Sequence, residues 1–428
     1  MSWFDYPKLD ERVYRKRLSN GLTLVVVPRE GFQKKLAYFV TDFGSVHTDY
    51  VYEGTEYHDP DGIAHYLEHK LFDMPWGEVT ADFAAMGANP NAFTSYDMTA
   101  YYFSGTENFE ACLKLLLEFV STPYFTEESV AKEQGIIGQE IDMTADSPET
   151  RVFENLMQAM YGRHPIRVPI LGTGETIAKI TPQVLEACHR AFYSPGNMML
   201  CVMGDVQAEE VERIALEVLG EEARSVARKL RPWQEEMTCP QREIVTQMEV
   251  AMPMFQLGFK CEPIGTGEEA VRREIIGDLA AEALFGESSG LYLSLYEEGI
   301  IDSSFGGGFE TVDGMAMLTA SGDSDEPETV RAAILERART FPQDGIPEDM
   351  FLRMKRSILG RRIRDLDSFD STCFRLCAYH FSGFDYFDFP RVFASVQIPE
   401  VLDFIRNTVT QERCCLSVIQ PLTQEVNQ

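Results

Sequence analysis

His65-Tyr66-Leu67-Glu68-His69 constrains this chain more than any other stretch, because it dictates local structure and surroundings together. On a helix, positions i, i+3 and i+4 share one face, so both imidazoles and the Glu68 carboxylate point at one spot. Two neutral imidazoles make half of a tetrahedral zinc site. A neighbouring carboxylate that stays off the metal is what water activation requires. The order H-x-x-E-H is the reverse of the H-E-x-x-H zinc motif. A fold that uses it must set a helix here against a polar recess and bring up a third ligand.

Acids for that role lie downstream. Thr126 followed by Glu127 and Glu128 reads as a helix start, a cap with two acids in the first turn. In the helix it opens, Glu133 and Glu140 are seven residues apart, two turns, and share a face. Gly135 and Gly138 each cost about 1 kcal/mol relative to Ala in a helix interior. Either a second backbone packs closely there or the helix breaks near them. Between the two helices, Gly87 to Phe103 reads as a turn marked by Asn89-Pro90, a strand, a turn and a second strand. On its own that pattern describes an ordinary hairpin over the metal-binding helix.

Together these segments resemble the pitrilysin/insulinase family of inverted-zincin peptidases, which includes the mitochondrial processing peptidase, and most closely a bacterial branch of short chains. The resemblance implies one Zn2+ per chain held by His65, His69 and Glu140. It implies Glu68 as general base and Glu133 as the supporting acid of the catalytic set. Asn91, Ala92 and Phe93 match the family's edge strand, on which a substrate backbone pairs by β-augmentation. The implied activity is zinc-dependent endopeptidase cleavage of oligopeptides or flexible segments. The implied fold is α+β, two similar α/β halves facing each other as a clamshell.

One segment departs from the family pattern. Where pitrilysin-type enzymes carry an Arg and a Tyr that stabilise the oxyanion, this chain reads Leu295-Tyr296-Glu297-Glu298-Gly299-Ile300-Ile301-Asp302-Ser303. Tyr296 takes the Arg place and Asp302 or Ser303 the Tyr place. An acid there opposes the developing negative charge. The expectation is that another residue substitutes, or that a homologous partner subunit supplies the pair and the enzyme is a heterodimer. The alternative is a catalytically silent binding or assembly subunit; retention of every ligand argues against it.

At 428 residues the chain is too long for one core. Residues 1–222 are expected to form the zinc-bearing half and 243–428 a second half of similar fold. Residues 223–242, charged and holding Pro232 and Pro240, read as a linker. Each half opens on a strand (22–27, and alternation from 243 to 259). Each closes on a helix and a strand (182–192 and 198–204; 399–408 and 414–419). Gly306-Gly307-Gly308 reads as a bend in a strand. Arg361, Arg362 and Arg364 read as a solvated helix face. The formal charge of −30 leaves no basic stripe for nucleic acid. No apolar run is long enough to span a membrane, and the N-terminus has no signal-peptide layout. The nine scattered cysteines suit reduced thiols in a cytoplasmic protein.

Overall fold

The structure is a computed structural model that describes residues 2–231 and 233–422. Pro232, cited above for the linker, lies outside them. Seven strands form the first sheet: β1 (Trp3–Tyr6), β2 (Glu11–Arg17), β3 (Thr23–Pro28), β4 (Lys35–Thr41), β5 (Ala88–Thr94), β6 (Thr99–Gly105) and β7 (Met198–Gly204), in the order β1-β2-β3-β7-β4-β6-β5. Five form the second: β8 (Glu243–Met248), β9 (Met254–Lys260), β10 (Gly306–Val312), β11 (Met315–Asp323) and β12 (Cys414–Pro421), in the order β8-β12-β9-β11-β10. Two small sheets, one of Asp49–Tyr52, Thr55–His58 and Arg228–Lys229 and one of Asp73–Met74 and Gly77–Glu78, complete the strands.

Strip β1 and β2 from the first sheet and the two sheets have one topology. In each, the first strand pairs parallel to the last and every other pairing is antiparallel. The helices repeat as well. α1 (Ile63–Leu71), α2 (Glu127–Ala145) and α3 (Pro148–Met160) have counterparts in α4 (Gly267–Phe285), α5 (Glu348–Arg364) and α6 (Phe369–Phe381). The protein is α+β, built of two similar halves.

The halves face each other through exchanged helices. α3 of the first half packs on β9 and β12 of the second sheet, while α6 of the second half packs on β4 and β7 of the first. The contact is close enough that a Cβ at Gly258 of β9 would sit 2.3 Å from the Met160 sulfur of α3. Consequently one face of the first sheet, with Val25, Tyr38, Val40 and Cys201, shares a core with Leu376, Cys377 and Phe393 of the second half. Its other face closes on α1 and its neighbours through Leu24, Phe39, Tyr66, Leu67 and Tyr101.

Several local expectations change. Asn89-Pro90 lies inside β5 and not in a turn; a proline is tolerated there because β5 is an edge strand with one row of backbone groups unpaired. α2 runs unbroken through Gly135 and Gly138, and a Cβ at either would meet nothing within 4 Å, so neither close packing nor a break explains them. Arg362 is not solvated: it is buried and its Nη2 reaches both Glu274 Oε1 and Asp278 Oδ2 of α4 at 2.6 Å. Within 223–242, Arg228–Lys229 pairs with Asp49–Tyr52. All nine cysteines are free, and all but Cys239 are buried. Among the described residues no helix is long and apolar enough to cross a membrane.

Candidate metal centre and active site

α1 is held by its apolar residues. Ile63, Ala64, Tyr66, Leu67 and Leu71 are buried in the first half, which leaves the face carrying His65, Glu68 and His69 turned towards α2. The helix starts at Gly62, whose φ of 91° is left-handed; a Cβ there would lie 2.5 Å from the Leu171 carbonyl oxygen. Only glycine fits that entry. α2 is started by Thr126, whose side chain accepts from the Ser129 N–H at 3.1 Å in a reciprocal capping box. Tyr66 then ties the two helices, its hydroxyl donating to the Val130 carbonyl at 2.5 Å.

This packing brings His65, His69 and Glu140 together. Glu140 Oε2 lies 3.6 Å from His65 Nε2 and 3.5 Å from His69 Nε2. Those separations are long for hydrogen bonds. They match the roughly 3.4 Å expected between two ligands that each sit about 2.1 Å from one tetrahedral ion. No other group of three such side chains among the described residues is so arranged. The donor set, two imidazole nitrogens and one carboxylate oxygen, suits zinc and leaves a fourth position open.

The two imidazoles are tuned in opposite directions. Burial, and secondarily His69, lowers the His65 pKa to about 3, so its imidazole stays neutral. Burial also opposes charge on His69, but the Glu133 hydrogen bond and the nearby carboxylates outweigh it and raise the net pKa. His69 Nδ1 lies 2.9 Å from Glu133 Oε1, an arrangement that fixes the tautomer and frees Nε2 for a metal. Glu68 is not one of the three converging side chains. Its Oε2 accepts from Thr94 Oγ1 at 2.7 Å, and burial raises its pKa above the usual carboxylate value. Sequence reasoning missed Thr94 and Tyr66 as contributors; nothing about a Thr at a strand end or a Tyr inside a motif signals those partners in advance.

β5 is the free edge beside this centre. Ala88 and Ala92 face the α1 side with Thr94, whereas Phe93 faces the shared core. Asn91 and Ala92 lie at the open edge, where the Asn91 side chain accepts from the Ala92 N–H at 2.9 Å. The segment expected to hold the oxyanion pair is elsewhere in character. Tyr296 is exposed and stacked on Tyr292, and Asp302 caps Ser304.

Residues 50–174 match the family model described as insulinase (peptidase family M16), and 179–358 match the one described as peptidase M16 inactive domain. A Bacillus subtilis (strain 168) protein named uncharacterized zinc protease YmfH is 36% identical over 424 residues, 97% of this chain and 98% of its own. The chain belongs to the insulinase, or M16, peptidase family. A second protein from that organism, uncharacterized zinc protease YmxG, is 26% identical over 331 residues, 74% of this chain and 78% of its own. Among solved structures, an M16-like peptidase from Alicyclobacillus acidocaldarius superposes with a TM-score of 0.92 at 31% identity, over 96% of this chain and 99% of that one. A protease from Helicobacter pylori shares the M16 fold at a TM-score of 0.82 and 19% identity, over 96% of this chain and all of that one (100%).

Proposed function

We propose that the chain is a zinc-dependent endopeptidase acting on oligopeptides or flexible peptide segments, and the metal-bearing subunit of a heterodimer. The observation that carries this is the convergence of His65 Nε2, His69 Nε2 and Glu140 Oε2, with the buried Glu68 carboxylate beside them and an unpaired strand edge alongside. Zinc in that cluster supplies Lewis acidity, polarising a carbonyl and acidifying water. Glu68, its proton affinity raised by burial, takes a proton from the attacking water and returns it to the leaving amine. Thr94 keeps the carboxylate oriented, and Glu133 keeps His69 in the ligating tautomer. A peptide lies extended along Asn91, Ala92 and Phe93, its backbone bonding the free edge of β5.

Tyr296 brings no cation to the Arg place and Asp302 no phenolic donor to the Tyr place, so a homologous partner is the source of the Arg and Tyr. The same observation favours a second reading, a silent binding subunit. Zinc content and cleavage of a fluorogenic peptide library separate them, measured for the chain alone and with a homologous partner, with Glu68→Gln as control. One zinc per chain and Glu68-dependent cleavage supports the peptidase. No stoichiometric zinc and no cleavage under either condition leaves the silent subunit.

A further inference from the structure

β5 presents two faces to anything added at its edge, and they belong to different halves of the protein. Its register with β6 pairs Ala92 with Tyr101 and Phe93 with Ala100. Tyr101 belongs to the core under α1, and Ala100 to the core shared with the second half. Thr94 and Ala92 therefore face the metal centre, while Phe93 faces α6. There the Phe93 ring meets Phe374 of α6 at 5.8 Å between centroids, and Tyr102 at 6.3 Å. Phe374 is 41% exposed, although its neighbours Cys373 and Cys377 on the same helix are buried. Beside it opens a cleft of about 680 Å3, lined in part by Tyr96 and Met98 of the β5–β6 turn, Phe309 of β10 and Phe381 of α6.

From this geometry we infer that Phe374, supplied by the second half, completes with Phe93 an apolar subsite that selects a large aliphatic or aromatic substrate side chain next to the cleaved bond. An added strand continues the pleat of its neighbour, so its side chains alternate between the two faces. Glu68 bonds Thr94, which fixes the level of the metal centre along β5. The substrate residue set against Phe93 thus lies next to the bond presented to that centre. Its side chain points away from the metal, onto the Phe93 and Phe374 rings and the mouth of the cleft. Edge-on and offset ring contacts reward an aromatic group there beyond the area it buries. An alanine at that substrate position would leave Phe374 in water. The second half then contributes to specificity while the first carries the chemistry.

The inference rests on the peptidase reading in one respect, that a peptide lies along β5, and binding tests it without requiring turnover. Labelled decapeptide pairs differing only by Phe or Ala at one position would be titrated by fluorescence anisotropy, with zinc present, into Glu68→Gln protein. The expected result is one position at which Phe is preferred by about tenfold or more, the usual scale of discrimination by an apolar pocket. Phe374→Ala should collapse that ratio towards one and Phe374→Tyr should restore it. Leu352→Ala, which removes an exposed apolar side chain on α5, should leave it unchanged. A preference that persists in Phe374→Ala, no aromatic preference at any position, or no peptide binding at all would overturn the subsite. Cleavage by protein with Glu68 intact, alone and with a homologous partner, is read in parallel. A Phe374-dependent preference without cleavage would sink the peptidase reading alone; cleavage with a Phe374-independent preference would sink the subsite alone.

Discussion

His69 can lend a metal only one nitrogen, because Glu133 engages the other at 2.9 Å. The division of labour proposed for the two glutamates on one face of α2 accords with this: Glu140 as ligand and Glu133 as the group that orients His69. Glu133→Gln should keep the fold and weaken zinc binding by about 10- to 100-fold, read by competition with a chromogenic chelator. An unchanged affinity would remove Glu133 from the site. Away from the centre, His189 is buried with Nε2 at 2.9 Å from the Val120 carbonyl, and burial first, then Arg224, lowers its pKa to about 4. The unfolded chain binds this proton nearer pH 6.5, so the stability from keeping His189 neutral is complete above that pH and is lost as pH falls towards 4. Between pH 7 and 4 the wild type should lose about 3 kcal/mol relative to His189→Gln, measured by urea unfolding. His189 stands plainly in the sequence; its role does not, because a buried and an exposed histidine read alike there.

At the scale of elements, the zinc helix and the glutamate helix were legible from spacing and caps, and the strands at 22–27 and 198–204 from their apolar runs. What misled was punctuation. Asn89-Pro90 signals a turn, yet the edge position of β5 makes the missing proline N–H harmless. Glycines in α2 suggest contact or breakage, and neither occurs. The glycine that matters is Gly62, where backbone and neighbour both exclude a Cβ. Gly62→Ala should destabilise the protein by at least about 2 kcal/mol, combining left-handed strain with the clash against Leu171. It should also lower zinc affinity by displacing the start of α1. Denaturant midpoints and the chelator assay check both parts; a stable variant with intact affinity would show that the loop relaxes freely.

Across the whole molecule, the exchanged helices make each sheet depend on the other half. Remove residues 243–428 and the face of the first sheet bearing Val25, Tyr38, Val40 and Cys201 loses α6; remove 1–222 and the second sheet loses α3. Neither piece then covers both faces of its sheet, and a large exposed apolar face promotes aggregation. Residues 1–222 expressed alone should be insoluble or lack a cooperative unfolding transition, whereas co-expression with 243–428 should restore a soluble complex with a single transition. A cooperatively folded 1–222 would mean that α6 is dispensable. Matching opening and closing patterns suggested a duplication, but the repeated strand order, first-last-second-fourth-third, emerges only when the pairings are seen.

By itself the sequence determined which groups could bind a metal and where most helices and strands begin, because helical spacing and capping are local properties of consecutive residues. It also determined, through residues matching a known family, the general architecture. Only the tertiary structure decided what stands beside what. The contacts of His69 with Glu133, Glu68 with Thr94, Arg362 with Glu274 and Phe93 with Phe374 join residues that are 64, 26, 88 and 281 positions apart. Such contacts are set by how helices and sheets pack, and chain separation carries no record of them.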